Sequence, residues 1–157
     1  MTALEDWFAD AAAAASDMSE MLTGLPLTPL AAASGQNVTV EVSALIGFTG
    51  DVGGALVIST CKTSAAALAE MLLGESFDAD AAEVLDAVGE YCNMVAGDLR
   101  RRMGEHGIAC DMTVPSLITG RAHEIHHSNR SWPVRREDLA AAWGRLRLEL
   151  AMGRAES

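Results

Sequence analysis

With 157 residues, half of them apolar and only 4% aromatic, the chain is long enough for one aliphatic core and too apolar to stay unfolded. Its formal net charge of -11 repels phosphate backbones and argues against nucleic acid as a partner. No apolar run approaches the roughly 18 residues that span a bilayer, so no membrane partner is expected.

The first predicted element is a helix over 3–23. Leu4, Phe8, Ala11, Ala12, Ala15, Met18 and Leu22 recur at spacings of three and four, giving one apolar stripe. Gly24, Pro26 and Pro29 end it, and an extended connection over 25–37 follows. The opening MTALEDWFAD lacks the basic and apolar regions of a signal peptide. Cys61, Cys92 and Cys110 are odd in number and form no CxxC pair, which argues against both a disulfide framework and a zinc site. Free thiols fit a reducing compartment, so a cytoplasmic location is expected.

VTVEVSALIGF alternates Val38, Val40 and Val42 with Thr39, Glu41 and Ser43, the pattern of a strand with one buried face. TGDVGG interrupts it and ALVISTC resumes it, so the pair reads as an antiparallel hairpin. The glycines at 47, 50, 53 and 54 do not make a phosphate loop, because no Lys-Ser/Thr follows them and no helix starts there. TSAAALAEMLLG is a short helix closed by Gly74. Asp80 and Glu83 have capping-box spacing and open the longest helix, over 81–106. MTVPSLITG and AHEIHH read as strands, SWPVRR as a further candidate, and EDLAAAW as either a short helix or a strand with a loop. RLRLELAM alternates Leu146, Leu148 and Leu150 with Arg145, Arg147 and Glu149 and is a strand with one apolar face. The order is helix, two strands, two helices and several strands. It specifies an α+β fold, an antiparallel-rich sheet with helices packed on it, in a single domain over 1–157.

The helix over 81–106 carries glycines that each cost about 1 kcal/mol relative to alanine. With Asn93 at zero and about 100° per residue, Val88, Cys92, Val95, Leu99 and Met103 form the core stripe, and Leu85 joins its edge. A second face collects Asp86, Gly89, Glu90, Asn93, Gly97, Arg100 and Gly104, all within about 60° of Asn93. It holds no large apolar side chain. Solvated helix faces are normally built from strong helix formers, so glycine here points to close approach by another backbone. Two readings stand: a second element of the same chain seated on a glycine, or a visiting partner.

At these residues the chain resembles a known family. VSALIGFTGDVGGALVIS, AEMLLG, LDAVGEYCNMVAGDL and VPSLITG are similar, in order and spacing, to blocks of the CheC/CheX chemotaxis phosphatases, closest to CheX, over roughly 38–127. The family signature, a Glu-x-x-Asn pair followed by Met or Ile and a Gly, falls on Glu90, Asn93, Met94 and Gly97. The resemblance implies an enzyme that dephosphorylates the aspartyl phosphate of a CheY-like response-regulator receiver domain. Asn93 would orient the attacking water and Glu90 would contact the receiver's lysine. Asp86, Gly89, Met94, Gly97 and Arg100 would form the partner-binding surface around them. The Mg²⁺ would sit on the receiver, leaving this chain with no metal ligands or cofactor of its own. Homodimers through sheet edges are also implied.

The chemistry of the pair suits these roles. An amide donates and accepts hydrogen bonds without titrating, which fits positioning of water. An exposed glutamate is anionic at neutral pH and suits an ammonium. The first helix offers only Glu20 followed by Thr23, so one intact motif is visible, as in CheX. A non-catalytic module that docks on a receiver or on a flagellar-switch protein would keep the same face without turnover.

Two further motifs carry a chemical signal. HEIHH matches HExxH at His123, Glu124 and His127, but the zinc-peptidase geometry needs a helix, and Gly120 and Pro133 flank the run. These histidines are expected on a surface hairpin. Of the basic run after Leu99, Arg100 falls on the motif face, and Arg101 and Arg102 are expected to be solvated. Cys92, on the core stripe, is expected to pack and not to react.

Overall fold

Alternation in the valine-rich and leucine-rich segments builds the sheet. The computed structural model describes residues 3–30, 38–128 and 132–155. Strand β2 (Val42–Gly50) folds back on β3 (Val52–Thr60) through a turn at Gly50 and Asp51, as the hairpin reading requires. Glycines 53 and 54 belong to β3 itself and not to the turn. Residues 38–41 precede β2, with Val38 and Val40 buried. The long last strand β7 (Gly144–Arg154) pairs with β3, placing Leu148 opposite Ile58 and Leu150 opposite Leu56. EDLAAAW resolves as strand: most of it lies in β6 (Val134–Ala141), paired with β7. Of the connection expected over 25–37, Thr28–Pro29 form a short β1 against β6, and 31–37 lie outside the described residues.

The other edge is made by β4 (Cys110–Met112) and β5 (Ser116–Thr119), both antiparallel to β2. Met112 faces Phe48 and Ser116 faces Leu45, so three residues, 113–115, lie opposite two, Ile46 and Gly47. One extra residue on an edge strand is a β-bulge. Pro115, which has no amide donor, is tolerated at such a bulge. Thr113 completes the pairing: its amide donates to Gly47 O at 2.9 Å, and its hydroxyl accepts from Gly47 N at 2.9 Å. The whole sheet is antiparallel, in the order β1-β6-β7-β3-β2-β4, with β5 also on β2.

Three helices cover one face of this sheet. The first, α1 (Ala3–Thr23), buries Leu4, Trp7, Phe8, Ala11, Ala14, Ala15 and Ser19. The second, α2 (Lys62–Leu73), stops at Gly74, whose left-handed φ of 77 donates its N–H to Glu70 O. The third, α3 (Ala82–Glu105), lies against α1, α2 and β2. The capping box is not formed: Ala81 is the N-cap with no side-chain bond, and the Asp80 carboxylate accepts from Lys62 Nζ at 2.6 Å. A lysine at the start of α2 competes successfully for the carboxylate that the spacing assigned to the helix end.

AHEIHH is not a strand. Residues 120–128 form an irregular strap, and its polar groups contact the sheet face opposite the helices. His123 Nε2 lies 2.7 Å from Ser43 Oγ, which lies 2.7 Å from Ser59 Oγ. His127 Nε2 meets the buried Glu149 at 2.6 Å, and Arg136 donates to the other oxygen of that carboxylate. Glu149 is therefore not on the solvated face that alternation in RLRLELAM predicts. No buried side-chain nitrogen or oxygen lacks a partner among the described residues.

The centre of the sheet tolerates no added side chain at Gly54. A Cβ there would strike the Ala151 carbonyl and come within 2.8 Å of Met152 Cα, both backbone atoms of β7. Gly54→Ala is expected to destabilise the chain by about 3 kcal/mol or more, in the range of large steric defects. Gly97→Ala, which meets nothing, serves as the matched control in urea unfolding.

Candidate functional site

Because α3 is packed on several sides, its buried arc is wider than a single stripe. It takes in Val84, Ala87, Val88, Gly89, Tyr91, Cys92, Val95, Ala96, Leu99 and Met103. Tyr91 is fully buried and its hydroxyl donates to the Ala15 carbonyl at 2.6 Å, pinning α3 to α1. Burial pushes both this phenol and the Cys92 thiol up, the latter to about 12. Cys92 Sγ donates to Ala44 O at 3.6 Å. It is a packing group, as its stripe position predicts.

The remaining face carries the polar pair. Glu90 is exposed and Asn93 half-buried, one turn apart on α3. Neither side chain has a hydrogen-bond or ion-pair partner among the described residues, and the same is true of the exposed Asp86. Gly97, the next turn on, has open space where a Cβ would be, as does Gly104. Met94 is half-buried at the border with the core. Asp86, Glu90, Asn93, Met94 and Gly97 thus form one accessible patch.

Gly89 departs from the expected picture. It is buried, and a Cβ on it would lie 3.2 Å from Leu117 Cδ2 of β5. The close approach that explains this glycine comes from the chain's own edge strand. Angular placement set it on the face with Asn93, away from the core stripe; the Leu117 contact that buries it is long-range and left no local signal. Arg100 is also engaged. Its Nε donates to Cys110 O at 2.7 Å, and its Nη2 lies 3.5 Å from Asp111 Oδ1. Its side chain is half-exposed, so it edges the patch while tethered to β4.

Arg102 is not solvated. It bridges Asp98 at 2.9 Å and Asp17 of α1 at 2.6 Å, and Arg101 joins it on Asp98. Burial alone would raise the Asp98 carboxyl, but the hydrogen bonds from Arg102 and Arg101 prevail and hold it below the usual carboxylate range. This cluster secures the C-terminal half of the motif helix. No group of three or more His, Cys, Asp or Glu able to hold a metal occurs among the described residues, and HEIHH lacks its helix.

What such a patch can do is limited and definite. It offers an amide and a carboxylate on an open helix face, with no metal ligand set and no nucleophile beside them. That suits acting on a reactive group presented by another macromolecule.

Comparison with known proteins bears on this directly. A family model described as chemotaxis phosphatase CheX matches residues 42–135. A curated relative, the CheY-P phosphatase CheX of Thermotoga maritima, is 32% identical over 82 residues, 52% of this chain. The match spans about half of that relative, 53%. The crystal structure of the chemotaxis protein CheX from Vibrio vulnificus superposes with a TM-score of 0.83 at 26% identity, covering 98% of this chain and 100% of that one. A chain of the CheX-CheY-BeF3-Mg²⁺ complex from Borrelia burgdorferi shares the fold, with a TM-score of 0.69 at 19% identity over 93% of this chain and 97% of that one.

The Asp98 cluster has a pH signature. A carboxyl held low in the folded state stabilises above its unfolded value and loses that contribution as pH falls through the folded value. Asp98→Asn is expected to cost about 1–2 kcal/mol at pH 7. Urea unfolding of both proteins should show the difference shrinking as pH falls below the ordinary aspartate value of about 3.9 toward the lower folded value.

Proposed function

The chain belongs to the CheX family of chemotaxis phosphatases, and on that premise we propose that it dephosphorylates the aspartyl phosphate of a CheY-like receiver domain. The observation that carries this reading is the unpartnered Glu90 and Asn93 on an open face of α3, with Gly97 clearing the next turn.

In this reaction Asn93 enters the receiver's active site. Its amide holds a water in line with the phosphorus through one donated and one accepted hydrogen bond. The water oxygen forms the new P–O bond, the bond to the aspartyl oxygen breaks, and phosphate and free aspartate result. Asn93 does not act as a base, since an amide does not titrate in this range. Glu90 pairs with the receiver's active-site lysine and sets the orientation of α3 across that site. Charge on the transferring group is balanced by a Mg²⁺ of the receiver, the ion named with CheY and BeF3 in the Borrelia complex. Positioning and electrostatics are most of what phosphoryl transfer asks of a protein, so a helix face suffices.

Asp86, Met94 and Gly97 surround the pair as docking surface, with Arg100 at its border. The proposal places the protein in the cytoplasm, which its three free thiols support. It also includes one domain over 1–157, supported by the single sheet that carries every described strand. The family resemblance supports a homodimer, which sedimentation equilibrium tests.

Phosphorylating receivers with acetyl phosphate and following phosphate release tests the central reading. Wild type should accelerate the loss. Asn93→Ala should slow it by about 100-fold, the effect of a misplaced reacting group. Glu90→Ala should lose acceleration through both binding and orientation. Both variants hydrolysing at the wild-type rate would overturn the mechanism, and wild type that binds without accelerating would make it a docking module.

A further inference from the structure

Resting on that reading, we infer that Leu117 is a docking contact for the receiver, and that Gly89 seats it. Leu117 is an apolar side chain 38% exposed, on an edge strand, directly over the residue that precedes Glu90. Glu90 is the next residue of α3 after the one that Leu117 covers.

Gly89 has no conformational need to be glycine. It sits inside α3 with ordinary helical backbone, and alanine would be the better helix former. The three nearest atoms that a Cβ would meet are Cδ2, Cδ1 and Cγ of Leu117, at 3.2, 3.7 and 3.8 Å. These belong to a partly exposed side chain, and only Cδ2 is closer than ordinary van der Waals contact. A Cβ would push that methyl back by a few tenths of an ångström. That displacement matters only if something rests on Leu117.

The surrounding edge supports the same conclusion. Leu117 over Gly89 and Arg100 on Cys110 O both tie α3 to this edge. Glu90, Asn93 and Gly97 lie between them on the helix, and the bulge at 113–115 lies between them on the strand. Within the bulge Val114 is 83% exposed, while Thr113 is fastened to Gly47 through two hydrogen bonds. A fastened segment that holds apolar side chains in water beside an unpartnered polar pair is built to meet a partner.

The test is steady-state dephosphorylation of a phosphorylated receiver, with melting curves for every variant. Wild type and Asn93→Ala run alongside as the check on the catalytic reading. Leu117→Asp is expected to raise KM at least tenfold, with kcat within about threefold and an unchanged Tm. Gly89→Ala should raise KM while Tm stays level or rises, and Gly89→Ala with Leu117→Ala should return KM to that of Leu117→Ala alone. If Leu117→Asp and Gly89→Ala both keep the wild-type KM while Asn93→Ala is slow, the inference fails and the catalytic reading stands. If the double variant stays at the KM of Gly89→Ala, the seating argument fails. If wild type accelerates no receiver, the catalytic reading fails and takes this one with it.

Discussion

Everything about the site follows from how completely α3 is enclosed. Packing against α1, α2 and β2 removes most of its circumference from water. The buried residues of α3 itself are small, aliphatic or sulfur-bearing, apart from Tyr91, whose hydroxyl is satisfied by the Ala15 carbonyl. Only one arc remains for polar groups, and the rigid packing behind it holds that arc still. In the proposed reaction the Asn93 amide needs this more than it needs a pocket: it contributes geometry, and geometry is only as good as the support of the element that carries it.

The division of chemistry between two proteins explains the plain look of the chain. Electrophile, metal and leaving group belong to a receiver in the proposed reaction. What stays here is an open helix face with a low-cost tolerance for close approach. The opposite side of the sheet shows the contrast. There Ser43, Ser59, His123, His127, Arg136 and Glu149 are mutually satisfied, and a motif that looked like chemistry fastens a strap.

Much of this was legible in the residues, and the failures share a cause. Helix bounds, the hairpin, the α+β class and the exposure of Glu90 and Gly97 all follow from local periodicity. Asp80, Gly89, Arg102 and His127 were misread, because each is decided by a residue distant in sequence. Asp80 answers to Lys62, Gly89 to Leu117, Arg102 to Asp17 and His127 to Glu149. Local rules set what a residue can do, and tertiary neighbours choose among the options. A glycine on a helix is the sharpest case. Gly97 and Gly89 carry the same local signal, yet one faces open space and the other an edge strand.

Cys92 turns the enclosure into something that can be timed. Its thiol adjoins Asn93 in the chain, is wholly buried, and is raised to about 12. An alkylating reagent needs a thiolate that it can reach, so modification at neutral pH waits for α3 to lift from the sheet. The labelling rate of this one sulfur therefore reports the opening equilibrium of the helix at the position next to Asn93. A docked receiver that clamps α3 would slow that clock without touching the cysteine.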